Sequence, residues 1–232
     1  MNAQPPRGYR PLTRTLLIAS AGCLLMIALR WLLTGSPRFV FLLWNLFLAW
    51  IPYLLCLLIR RVSYPSSASA RRRLAAVVLG AGWLLFYPNA PYILTDVIHL
   101  IGSSTRSRTE HPLFTGNALL WYDIILHASF AFIGHFIGLI SLVVLHRIIR
   151  DQYRRDLAWG VVVLASGLGG YGIYLGRFER LNSWDILRVP VVTLRTGLVN
   201  LFNLKAVLFS LCFAFFIFLT YLIVYSFHES AR

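Results

Sequence analysis

Residues 86–99 read FYPNAPYILTDVIH: two prolines bracket an asparagine, and an aspartate and a histidine follow within eight residues of Pro91. Asp96 and His99 are three apart, so they share one face of a helix formed there, with Tyr92 on the same face. A second acid–imidazole pair, Asp123 and His127 in WYDIILH, is four apart. Its face continues through Phe130, Gly134, Gly138 and Ser141, a stripe suited to contact with protein rather than lipid. An Asp/His pair can act as a general base. Two such pairs, joined by Glu179 or Asp185, could instead hold a divalent metal (zinc, iron or manganese) that activates water. Asp96, His99, Asp123 and His127 are therefore the candidate catalytic residues. Asn45, Asn89, Arg177, Glu179, Arg180, Asn182, Trp184 and Asp185 are the candidate substrate-binding residues, and Arg177, Arg180 and Arg188 could grip a phosphate or carboxylate. DxxH and DxxxH spacings also arise by chance, and neither HExxH nor GxSxG is present.

The elements that must position these groups are membrane spans. The chain is 58% hydrophobic and 13% charged, against about 25% charged in a soluble domain. Apolar runs near 13–33, 39–59, 74–100, 117–147, 157–178 and 206–227 approach or exceed the ~20 residues that cross a bilayer core. The expected fold is an all-α polytopic transmembrane helix bundle, one membrane domain over residues 1–232 with no soluble domain and an uncleaved first span. Residues 179–205 are too apolar for an ordinary loop, and Arg188 and Arg195 fall on one helical face, which predicts an interfacial helix between spans five and six.

The net charge of +14 sits on 21 arginines and one lysine clustered at span ends. That distribution points to anionic lipid headgroups at the cytoplasmic surface rather than nucleic acid. Thirteen basic residues fall on the side of the termini and nine on the other, which places both termini in the cytoplasm. The count treats Arg30 and Arg38 as flanking charges of the first outer loop. Cys23, Cys56 and Cys212 lie inside apolar runs and read as inert packing residues.

The third span breaks in its outer third. Pro88 and Pro91 lack the N–H groups due to the carbonyls of Leu84 and Tyr87. Tyr87 precedes a proline and should leave helical geometry, and Asn89 is a natural N-cap for a second helix over about 90–99. Backbone groups freed at this depth must be buried in protein or face water. With Asn45 in the outer half of the second span and Gly172/Gly176 closing the fifth, the polar groups of four segments come to one level. Charged side chains there are costly unless they form a site or a network. The structural alternative pairs Asp96 and Asp123 with Arg177 or Arg180.

WNLFLAWIP, LLFYPNAPYILTDVIHL, WYD and GIYLGRFERLNSWD, in this order, resemble the bacterial membrane family catalogued as domain of unknown function 1361, over about residues 40–200. The resemblance implies a bacterial inner or plasma membrane protein; it supplies no reaction. Three functions compete on the residues alone: a lipid- or anion-directed membrane enzyme working at the extracytoplasmic face, a transporter or channel for a small anionic solute, and a non-catalytic scaffold or subunit. A polar path continuing to the cytoplasmic side would favour transport, whereas a pocket open only outward favours an enzyme or receptor. Reporter fusions at Ser67 and Arg106 are expected to read inside and outside respectively; the reverse at both sites would overturn the orientation.

Overall fold

The computed structural model describes residues 9–64, 69–101 and 117–230. Ser67, Arg106, Arg108 and His111 lie outside the described residues. The described chain is helical: α1 (Arg10–Thr34), α2 (Phe41–Ser63), α3 (Ala70–Phe86), α4 (Asn89–Tyr92), a 3-10 segment (Ile93–Val97), α5 (Ile98–Ile101), α6 (Ala118–Gln152), α7 (Arg155–Phe178), α8 (Asp185–Arg188), α9 (Pro190–Asn200) and α10 (Leu204–Ser230). Among the described residues, six helical stretches are long and apolar enough to cross a membrane, with the third running over Ala70–Leu100. Exposed Leu, Val and Phe side chains on α1, α7 and α10 suit lipid contact.

The 35-residue α6 is the central post. The α2 helix packs on α6 and α3, and α7 packs on α10 and α6. The α1 helix leans on α6 and α2, where the Trp50 indole donates to Ser20 Oγ at 3.1 Å and Tyr122 OH donates to the Met26 carbonyl at 2.7 Å. At the other end of α6, Arg147 and Arg150 reach Glu229 at 3.2 and 3.3 Å and tie α10 to it. His146 is fully buried there, hydrogen-bonded to Tyr221 and stacked on Tyr225.

Ser69 caps α3, its hydroxyl accepting from the Arg72 N–H at 3.4 Å. The helix ends at Phe86, as the prolines predict, but the break differs from expectation in two ways. Tyr87 keeps helical dihedrals (φ −54°, ψ −41°), and Asn89 is not an N-cap, because the backbone stays near helical through Pro88. Loss of the proline N–H groups is met by tightening instead: the Ala90 N–H turns to the Tyr87 carbonyl at 3.1 Å. The Asn89 amide donates to the Phe86 carbonyl at 2.9 Å, and Ser183 Oγ donates to the Leu85 carbonyl at 2.9 Å. The same tightening carries into the 3-10 segment, so residues 90–99 are three short pieces rather than one helix. Three residues per turn still keep Asp96 and His99 on one side.

Glycines on two helices admit this thick segment. A methyl group at Gly138 of α6 would lie 2.7 Å from Ala90 Cβ, and one at Gly134 would lie 2.5 Å from Ile93 Cδ1. On α7, a methyl at Gly172 would lie 2.6 Å from the Pro88 ring, and one at Gly176 would lie 3.1 Å from the Tyr92 ring. The Pro88 ring cannot rotate away, so Gly172→Ala is expected to cost about 1–3 kcal/mol through overpacking. Gly167→Ala meets open space and should be neutral or slightly stabilising. Thermal unfolding of the two variants in mild detergent checks the difference.

Candidate functional site

The broken segment, α2 and α7 enclose a cavity of about 580 Å³ at one end of the bundle. Six of the twelve sequence-derived candidates line it: Asn45, Asn89, Asp96, His99, Arg177 and Asn182. Tyr92, Ser183 and Thr193 add hydroxyl groups, and Leu84, Leu85, Leu168 and Leu175 form its apolar wall.

Asp96 is 2% exposed and is held from two sides. Asn45 Nδ2 donates to its Oδ2 at 2.7 Å, and Arg177 Nη1 stands 3.6 Å from its Oδ1. The guanidinium also reaches Tyr92 OH and His99 Nε2, each at 3.5 Å. A guanidinium has only donors, so the His99 Nε2 facing it carries the lone pair. His99 itself is exposed, with its ring edge-on to Phe41 at 5.0 Å. One α7 residue thereby organises an acid, a phenol and an imidazole on the broken segment, which gives the cavity a charge-compensated floor and a proton acceptor at its rim.

The second acid–imidazole pair does not join this group. Asp123 is held bidentately by Arg30, at 2.6 Å (Nε to Oδ1) and 3.1 Å (Nη2 to Oδ2). Arg30 is buried inside α1 and lies over the Phe39 ring at 4.4 Å. It is thus an interior ion-pair partner and not a loop charge, and the expectation that Asp123 pairs with Arg177 or Arg180 fails at this residue. His127 donates from Nδ1 to the Asp123 carbonyl at 2.8 Å and packs edge-on against Phe39. Its buried Nε2 has no hydrogen-bond partner among the described residues. Neither Asp123 nor His127 lines the cavity. Among the described residues, no three His, Cys, Asp or Glu side chains are grouped to hold a metal.

The segment after α7 also divides. Arg180 is exposed and adopts a left-handed φ of 55°, and the Leu181 N–H turns back to the Leu175 carbonyl at 3.2 Å. This reversal returns Asn182 and Ser183 to the cavity, where Ser183 Oγ accepts from Asn89 Nδ2 at 2.8 Å. Asp185 accepts from the Asn182 backbone and side-chain N–H groups at 2.7 and 3.2 Å, which fixes the turn. Glu179 is exposed at the α7 C-cap, and Trp184 meets Trp44 edge-on at 6.2 Å. Glu179, Arg180, Trp184 and Asp185 do not line the cavity.

Sequence reasoning missed Arg30 and Ser183. An arginine in the middle of MIALRWLL carries its own signal, because a charge at that depth requires a partner. Ser183 had only its place beside candidates to mark it.

A bundle of membrane-spanning helices with a largely apolar cavity at one end that gathers a few polar side chains is the class of protein these observations define. Within it, the chain belongs to the family described as protein of unknown function (DUF1361), whose model matches residues 44–220 and so contains all the polar residues of the cavity. No curated protein and no solved structure matches the chain.

Arg30→Met or Asp123→Leu alone leaves a buried charge and should destabilise by about 3–5 kcal/mol, with much of the loss recovered in the double variant. Chemical or thermal unfolding of the three variants reads this coupling. Arg180→Gly should preserve or raise stability, since glycine removes the left-handed cost of about 1–2 kcal/mol; a fall in the unfolding temperature would contradict a turn role.

Proposed function

We propose that this protein binds and acts on the anionic headgroup of a lipid or lipid-linked substrate at the extracytoplasmic face of a bacterial plasma membrane, with both termini in the cytoplasm. The observation that carries the reading is the cavity of about 580 Å³ into which Arg177 presents its guanidinium beside a buried carboxylate and an exposed imidazole. Its volume is in the usual range for small-ligand sites. Asp96, locked by Asn45, orients Arg177. Arg177 grips the phosphate or carboxylate in its planar fork. His99 is the general base: an anion that draws Arg177 away from Nε2 releases the lone pair for a proton.

The excess of arginine on the side of the termini supports the orientation. The middle of the bundle supports headgroup chemistry over passage of a free ion, since an apolar stretch of Leu84, Trp83, Gly80 and Val77 on α3 separates the polar groups of the cavity from Arg73 and Gln152 at the opposite end.

Glycerol phosphate, a water-soluble headgroup, tests the site by titration calorimetry in mild detergent. Wild-type protein should bind it. Arg177→Ala should lose at least tenfold in affinity, and Arg177→Lys should recover part of that loss by restoring charge without the fork. Equal binding by wild type and Arg177→Ala would overturn the reading.

A further inference from the structure

A second cavity, of about 300 Å³, lies on the same side of the bundle, and Leu84 lines both. The two follow one seam. Its α3 wall runs through Leu84, Gly80 and Val77, and its α7 wall through Leu168, Leu164 and Val161, each at helical spacing. The seam exists because α3 packs mainly on α2, while α7 packs mainly on α10 and α6. Val77 and Leu164 are exposed, and a side chain added at Gly80 would meet nothing within 4 Å.

We infer that the α3–α7 seam is the berth of one hydrocarbon chain, belonging to the same membrane lipid whose anionic headgroup the upper cavity takes. The inference rests on the headgroup reading above and adds how the substrate arrives: sideways from the bilayer, with its head under Arg177 and its chain against α3 and α7. Three observations commit the seam to this occupant. Its polarity follows that of a lipid in the upper leaflet, with Asp96, His99 and Arg177 at one end and an apolar wall of Leu84, Trp83, Gly80 and Val77 below them; Arg73, Ser63 and Gln152 lie beyond that stretch, at the opposite end. Its length fits, because the eleven helical steps from Val77 to Pro88 rise about 17 Å, close to half of a ~30 Å hydrocarbon core. Its walls open toward the bilayer, since Val77 on α3 and Leu164 on α7 are both exposed.

The test compares glycerol phosphate with phosphatidylglycerol of short and long chains by native mass spectrometry of the full chain. Wild type should bind the long-chain lipid at least tenfold more tightly than glycerol phosphate. Gly80→Phe, which fills the seam, should remove most of that gain and leave glycerol phosphate affinity unchanged. Gly22→Phe, in open space on α1, should change neither. Failure of glycerol phosphate to bind wild type sinks the headgroup reading. Binding of glycerol phosphate with no gain from chain length sinks the seam alone.

A second measurement needs no variant. Phosphatidylglycerol carrying a diazirine midway along one chain, reconstituted with wild-type protein in nanodiscs, should label peptides covering 76–84 and 161–168. Labelling confined to α1 and α10 would identify ordinary annular lipid and overturn the proposal, and a cross-linked protein dimer through α3 would assign the seam to a second copy.

Discussion

Two prolines three residues apart impose the arrangement on which the site depends. Pro88 and Pro91 remove N–H groups from the third span, and the carbonyls so exposed cannot be left to hydrocarbon. Ala90 answers the Tyr87 carbonyl, and Asn89 and Ser183 bond the neighbouring Phe86 and Leu85 carbonyls; the Ser183 bond requires the turn after α7 to fold back over the break. The thickened segment can enter the bundle only where Gly134, Gly138, Gly172 and Gly176 withhold side chains. Once seated, it has little freedom left, and Asp96 and His99 inherit fixed positions opposite Asn45 and Arg177. The cavity is thus a by-product of satisfying a broken helix between two others.

Local spacing made the spans, the break after α3 and the Asp96/His99 face legible. Each follows from composition or periodicity within a few turns. The allocation of charges across helices was not legible. Asp96 and Asp123 look alike in sequence, each an acid followed by a histidine on the same face. One meets Arg177 at 3.6 Å and lines a cavity; the other is clasped by Arg30 at 2.6 Å and lines none. That distinction depends on a partner 93 residues away, beyond any local pattern. The roles of Arg180 and Asp185 were hidden for the opposite reason. Their chemistry is spent within the turn itself, through a left-handed backbone and an aspartate that accepts from Asn182, and charge alone did not distinguish turn residues from ligand residues.

The two ion pairs also differ in kind. Arg30 and Asp123 are shielded on all sides and make a bidentate contact under an aromatic ring; removing either leaves the other stranded. Arg177 divides its donors among Asp96, Tyr92 and His99 at distances of 3.5–3.6 Å. Such a loosely shared guanidinium can be drawn toward an incoming anion, whereas a tight fork cannot be without large cost. The bundle holds one arginine as a fastener and keeps the other available.

The Arg30–Asp123 clasp has a consequence for biogenesis. The first helix emerges from the ribosome well before the sixth, and the two partners are separated by 93 residues. At about 5–20 residues per second, Arg30 waits about 5–20 seconds for its carboxylate. Arg30 lies about one turn from the C-terminal end of α1, where an unpaired arginine costs less than the ~2.5–3.5 kcal/mol of one at a helix centre. From that position its side chain can snorkel to the headgroups until α6 brings Asp123 to it. The clasp can close only once α6 is in place, so the final seating of α1 against the central post comes after that post is made.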